Sequence, residues 1–314
     1  MANFTIYTYM FKPIAKPDSP DLFVTNAVNI QESLKRKQEL LGDIFPRLGT
    51  AYKASDISQP GEYSNDTDKL KMMDGDMLYL HKMLVNEGNI IAFRIANNKK
   101  IMRHTAKFTD EEFDDHPSCL VVIDNRHDRQ LIAIEQKQKS FSSTHTVAKI
   151  LTATFNRYLA PYRLTLTIDA KYHENEFWKI IDTYPKGFKR AEFTFPYPNL
   201  PVISMLVSET MNQEAREFHC EPTQVLRALD SQVLDLNKDS ERLQDMVSAC
   251  AASGKPILLL PVSKRKVIKC NTDKTVVTEE MSLAEIDKLT SSDLFHSAFS
   301  ALTDFVNRIK AKYE

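Results

Sequence analysis

The residues with the clearest chemical potential are Glu135 and Lys137, which close the stretch "CLVVIDNRHDRQLIAIEQK" at 119–137. Two apolar runs flank a polar turn there, a pattern that predicts a β-hairpin. Side chains alternate along a strand, so a Glu-x-Lys pair within one presents both groups on the same face. Some metal-dependent nucleases use this arrangement. The Glu shares a divalent ion with an Asp of the preceding strand, and the lysine steadies the attacking water or the developing charge. In this chain the Asp would be Asp124 or Asp115.

The spacing speaks against both. With a turn at 125–129, residue 124 pairs with 130 and Cys119 pairs with Glu135. Asp124 then stands about 16 Å from Glu135 at ~3.3 Å per residue, too far for one ion. Asp115 lies roughly 13 Å from Cys119 in extended chain and reaches Glu135 only if Pro117 bends the backbone. A half-buried hairpin with solvated charged ends is therefore the first reading. A nuclease using Glu135, Lys137 and Asp115 is the alternative, with Mg²⁺ as its cofactor; no cofactor is expected otherwise.

Basic clusters are the second kind of candidate. They are Lys99 and Lys100 with Arg103; Lys186, Lys189 and Arg190; and Lys264, Arg265 and Lys266 with Lys269. Phosphate contacts need such local charge, and Tyr184, Phe188 and Phe193 beside the middle cluster offer rings that can stack on bases. Nucleic acid is thus one expected ligand, and a partner protein is the other.

Several chemistries lack their residues. The seven glycines never fall within five positions of each other, so no phosphate-cradling loop is present. The eight histidines form no His-x-x-His or His-x-x-x-His pair, and no Gly-x-Ser-x-Gly occurs. His116 beside Asp114 and Asp115 reads as a solvated acidic loop, and His219-Cys220 as packing. Cys119, Cys220, Cys250 and Cys270 are scattered, which suits reduced thiols in cytoplasm. The N-terminus carries no signal-peptide pattern, and no apolar run approaches the length of a membrane span. The net charge of −1 gives no global attraction to polyanions, so any such affinity must be local.

The elements that must position these groups are readable from periodicity. "FTIYTYMFKPI" (4–14) reads as a first strand, 30–45 as a helix, and 50–70 as a polar loop. "DMLYLHKML" and "NIIAFRIAN" read as a hairpin, with a helix as the alternative for the first run. After 119–137 come a helix carrying Val147, Ile150, Leu151, Phe155 and Leu159 and capped by Ser142, Ser143 or Thr144, then a strand at 163–169. A short helix around Phe177 and a strand at 188–195 follow. Pro196, Pro198 and Pro201 mark a boundary. Beyond it lie helices at 203–218 and 240–252, the latter stopped by Gly254, and two short strands, "KPILLLPV" and "KRKVIKC". The final helix has an apolar stripe of Leu294, Phe295, Ala298, Leu302, Phe305, Val306 and Ile309.

The "FTIYTYMF" strand, the "CLVVIDNRHDRQLIAIEQ" hairpin, the helix "SSTHTVAKILTATFNRYL" and the later "LDLNKDSERLQDMVSACAASGKPILLLPV" together resemble, in order of elements, uncharacterised bacterial proteins from anti-phage defence loci. The resemblance implies an intracellular defence role and supplies no catalytic residue.

The expected class is α+β: a largely antiparallel, hairpin-built sheet with helices on one face over 1–195, then a mostly helical part with a short hairpin over 196–314. The expected function is binding or sensing in the cytoplasm, with no membrane partner. The stripe of the last helix packs on its own chain or on the same helix of a second copy, as a homodimer.

Overall fold

The computed structural model describes residues 1–14, 30–48, 72–74, 77–106, 108–272, 274–288 and 295–313. The loop expected at 50–70 and Leu294 of the final stripe lie outside them. In chain order the first elements are β1 (Ala2–Pro13), α1 (Ile30–Lys35), α2 (Lys37–Gly42) and α3 (Ile44–Arg47). Strands β2 (Met73–Asp74), β3 (Met77–Leu78), β4 (Leu80–Glu87), β5 (Ile90–Ala96), β6 (Lys99–His104), β7 (Asp110–Asp115), β8 (Ser118–Asp124) and β9 (Leu131–Glu135) follow. Next come α4 (Thr144–Leu159), β10 (Leu164–Ala170), α5 (Asn175–Thr183), β11 (Phe188–Thr194), α6 (Pro201–Ser204), α7 (Glu209–Phe218) and β12 (Thr223–Arg227). The chain ends with α8 (Glu241–Ser253), β13 (Ile257–Pro261), β14 (Ile268–Lys269), β15 (Thr278–Met281), α9 (Ala284–Asp287) and α10 (Phe295–Tyr313). The class is α+β with antiparallel sheets.

The large sheet runs β10-β1-β9-β8-β5-β4, every pair antiparallel. β15 joins it beside the first residues of β1, on the side where β10 takes the later ones. β1 is apolar at odd and even positions alike. Tyr7, Tyr9 and Phe11 face one core, while Phe4 and Ile6 face another. A strand with both faces apolar must be covered twice. The first core is closed by α4 through Val147, Ile150, Leu151 and Phe155, with Leu40, Leu41 and Phe45 from α2 and α3. Ser143 caps α4 by accepting the His145 N–H.

The second core is closed by α10. Ala298, Leu302, Phe305, Val306 and Ile309 are buried against Phe4, Ile6, Leu120, Val122 and Ala133. Helices therefore lie on both faces of this sheet, not on one as the pattern suggested. These five residues of the α10 stripe are covered by their own chain.

Other expectations change in detail. Residues 30–45 form three short helices, and 203–218 divides into α6 and α7. The acidic stretch near His116 is not a loop. It forms β7, paired with β6 so that Lys99 faces Asp115, Lys100 faces Asp114 and Arg103 faces Glu111. Opposite charges directly across a ladder stabilise the pairing, and they neutralise the first basic cluster at the same time.

A second sheet runs β12-β11-β13-β14. Ala191, Phe193, Ile257 and Leu259 of its inner face pack on Phe177 of α5 and on Leu243, Met246, Val247 and Cys250 of α8. Pairing crosses residue 195: β11 shares this sheet with β12 and β13, whereas β15 and α10 return to the large sheet.

Gly254 ends α8 with φ +69, and a Cβ there would stand 2.7 Å from the Ala170 carbonyl oxygen. Only glycine tolerates both the backbone and the approach. The next residue, Lys255, places its ammonium 2.8 Å from the carboxylates of both Asp169 and Glu221, and Lys12 stands 2.9 Å from Glu221. The two sheets are thus joined by a half-buried ion network as well as by Met10, which enters the second core.

Candidate nucleic-acid interface

The hairpin 118–135 forms, but in a register one residue away from the expected one. Asp124 pairs with Leu131 and Val121 with Ile134, so Leu120, not Cys119, faces Glu135. Gln130 causes the shift. It adopts φ +50 and donates its side-chain amide to the Tyr9 carbonyl at 2.6 Å and to Asn199 Oδ1 at 3.0 Å, which takes it out of the ladder. A one-residue slip moves a side chain to the other face. Cys119 consequently joins the core under α4, where burial pushes its thiol up to about 12.

Glu135 is buried at 6% exposure. Its carboxylate accepts the Leu120 N–H at 2.7 Å, and Arg94 Nη1 lies 3.9 Å away. Lys137 lies beyond the end of β9, exposed, with its carbonyl accepting the Ser140 N–H. The pair does not share a strand face as the alternation rule required. Asp115 ends β7 opposite Lys99, in a different sheet. Asp124 is bound by Arg126 through Nε at 2.8 Å. Among the described residues no three His, Cys, Asp or Glu side chains come together as a metal site. Glu135 satisfies a buried N–H and faces an arginine.

The other two basic clusters meet. Lys186 and Gly187 lead into β11, while Lys264, Arg265 and Lys266 follow β13. These two strands are antiparallel neighbours, with Phe188 opposite Pro261. The Val262 N–H donates to the Gly187 carbonyl at 3.0 Å, so the clusters emerge at one end of the second sheet. Lys264 Nζ donates to the Tyr184 hydroxyl at 2.6 Å and stands 4.9 Å from that ring's centre. Lys186, Lys189, Lys264, Arg265 and Lys266 are exposed, and Arg190 is half-buried. Phe188 and Phe193, expected as stacking rings, are instead core residues.

β12 brings Arg227 to the same end, opposite Arg190. Sequence reasoning missed this residue, although the alternating "TQVLR" was a usable signal. Glu192, Asp230, Asp235 and Asp239 are the acids of these strands and of the segment between β12 and α8, so basic charge is in clear excess. Leu229, Val233 and Val267 add exposed apolar surface. Elsewhere, His219 is the left-handed cap of α7, and it and Cys220 are both exposed, so that pair does not pack as expected. No described helix is long and apolar enough to cross a membrane.

No family model matches the chain, and no curated protein or solved structure matches it.

Proposed function

We propose that this protein binds nucleic acid in the cytoplasm through the basic end of its second sheet, as a binding or sensing component and not as a nuclease. The observation that carries this reading is the meeting of residues 186–190 with 264–266 on adjacent strand ends. A chain with a net charge of −1 has no general affinity for polyanions, so a concentrated exposed patch with Tyr184 among its lysines is the feature that needs a ligand. Exposed lysines give phosphate contacts, which position a strand without reading its sequence. The sequence resemblance to proteins of anti-phage defence loci would place such binding in antiviral defence.

The test is fluorescence anisotropy with a labelled single-stranded oligonucleotide across a salt series. Lys186, Lys189 and Lys266 are replaced together by Gln. The salt slope should flatten by about 0.7 for each phosphate that is no longer neutralised, with affinity falling alike for every sequence. An unchanged affinity and slope would remove this surface as the interface.

A further inference from the structure

Beyond the lysines, the outer face of the second sheet holds an arrangement that folding by itself does not favour. Arg190 of β11 lies directly opposite Arg227 of β12. The Ala228 N–H donates to the Lys189 carbonyl at 2.9 Å, which makes 190 and 227 a pair not hydrogen-bonded to each other. In such pairs the Cα atoms approach to about 4.5 Å and the side chains are closest. Like charges opposite one another in a ladder are destabilising.

Only one of the two guanidinium groups has a carboxylate among the described residues. Glu192, two residues along on the same face, binds Arg190 through Nη2, but it faces Val225 and not Arg227. Arg190 Nε stays buried with no hydrogen-bond partner among the described residues, and Arg227 is exposed with no ion pair among them. Buried donors normally find acceptors. The surroundings are accessible: Val225 is exposed and Leu258 and Leu260 are half-buried on this face, while the alternate residues Ala191, Phe193, Ile257 and Leu259 point into the core.

We infer that Arg190 and Arg227 form a phosphate clamp, in which one oxyanion lies between the two guanidinium groups and accepts from the accessible side of each fork. Arginine suits this task because its donors form a planar fork matched to phosphate. The inference rests on the proposed function in one respect: the phosphate is taken to be a phosphodiester of a nucleic-acid strand that continues from the lysine patch onto the sheet face.

The experiment has two arms, each with wild type and Arg227→Gln. Arg227 is exposed at the end of an edge strand, so its replacement leaves the core intact. In the first arm, thermal unfolding is followed in sodium phosphate and in sodium chloride at equal ionic strength and pH. Phosphate should raise the wild-type melting temperature above its chloride value, and the variant should lose that increment. At low ionic strength in chloride the variant should melt no lower than wild type, because the like-charge repulsion is gone. In the second arm, oligonucleotide affinity should fall about tenfold in the variant. No phosphate-specific stabilisation of wild type, or its full retention in Arg227→Gln, overturns the clamp whatever the oligonucleotide does. A normal first arm with no oligonucleotide binding by wild type keeps the clamp as a site for free phosphate and overturns only the nucleic-acid reading. Oligonucleotide binding that is lost with the lysines but untouched by Arg227→Gln overturns the clamp as a nucleic-acid contact and leaves the lysine patch as the interface.

Discussion

The carboxylate of Glu135 accepts the backbone N–H of Leu120 at 2.7 Å, across the two middle strands of the large sheet. Arg94 stands 3.9 Å from the same carboxylate and also binds Asp287 at the start of the segment leading to α10. The group most suggestive of metal chemistry in the sequence is therefore part of the joint between the sheet and its second helical layer. Its value should appear in stability.

Glu135→Ala leaves the Leu120 N–H without an acceptor in a buried setting and removes one partner of Arg94. The expected loss is about 1–3 kcal/mol, read as a lower urea midpoint with an unchanged slope. Glu135→Gln should lose less, since its amide oxygen still accepts. A variant as stable as wild type that abolishes a metal-dependent cleavage would restore the nuclease reading.

Lys255 carries two carboxylates, so Lys255→Met should cost roughly 3 kcal/mol or more by leaving them facing one another half-buried. The network also sets an acid response. Burial by itself would raise the pKa of Glu221, but Lys255 and Lys12 outweigh it and hold the group below its ordinary value. A depressed folded pKa contributes stability that is fully present above the unfolded value, about 4.3, and is lost as pH falls through the folded one. Glu221→Gln should therefore be less stable than wild type at neutral pH, and the gap should narrow below about pH 4.3. Parallel pH–stability curves for the two proteins would refute the assignment.

Lys37 shows the opposite balance. It is 5% exposed, it donates to the Asn199 carbonyl, and burial lowers its pKa to about 8. Between that value and the ordinary lysine value the unfolded chain binds more protons, so stability should rise with pH across this window. Lys37→Met removes the cost of burying the charge. It should gain on the order of 1–3 kcal/mol at pH 7 and lose the slope between about pH 8 and 10, as measured by denaturant unfolding at several pH values. A loss of stability at pH 7 would mean that the bond to Asn199 outweighs desolvation.

Phe305 is fully buried, with its ring centre 5.1 Å from that of Phe4. Phe305→Asp removes a core aromatic and buries a carboxylate, so a loss above about 3 kcal/mol is expected, with no change in the mass of the folded fraction by light scattering. A folded variant of half the wild-type mass would instead identify α10 as a seam between copies.

Local pattern was enough for β1, the 118–135 hairpin, α4 with its Ser143 cap, α8 with Gly254, and α10. Each has a periodicity or a cap that its own residues define, and helix or strand is decided within a few turns. "FTIYTYMF" even carried the need for two covering layers, since it is apolar on both alternations. What covered them was not local. α10 lies far along the chain from the strand it shields, and an apolar stripe does not say which apolar surface it will meet.

Register was likewise beyond the sequence. A single side chain, Gln130, found acceptors on Tyr9 and Asn199, and in the resulting register Leu120, not Cys119, stands opposite Glu135. The candidate site divides along the same line. Residues 186–190 and 264–266 were visible as basic runs, because charge is a property of composition. That they meet, and that Arg227 stands against Arg190, was decided by antiparallel pairing of three strands distant in the chain, because only the ladder fixes which residues become neighbours.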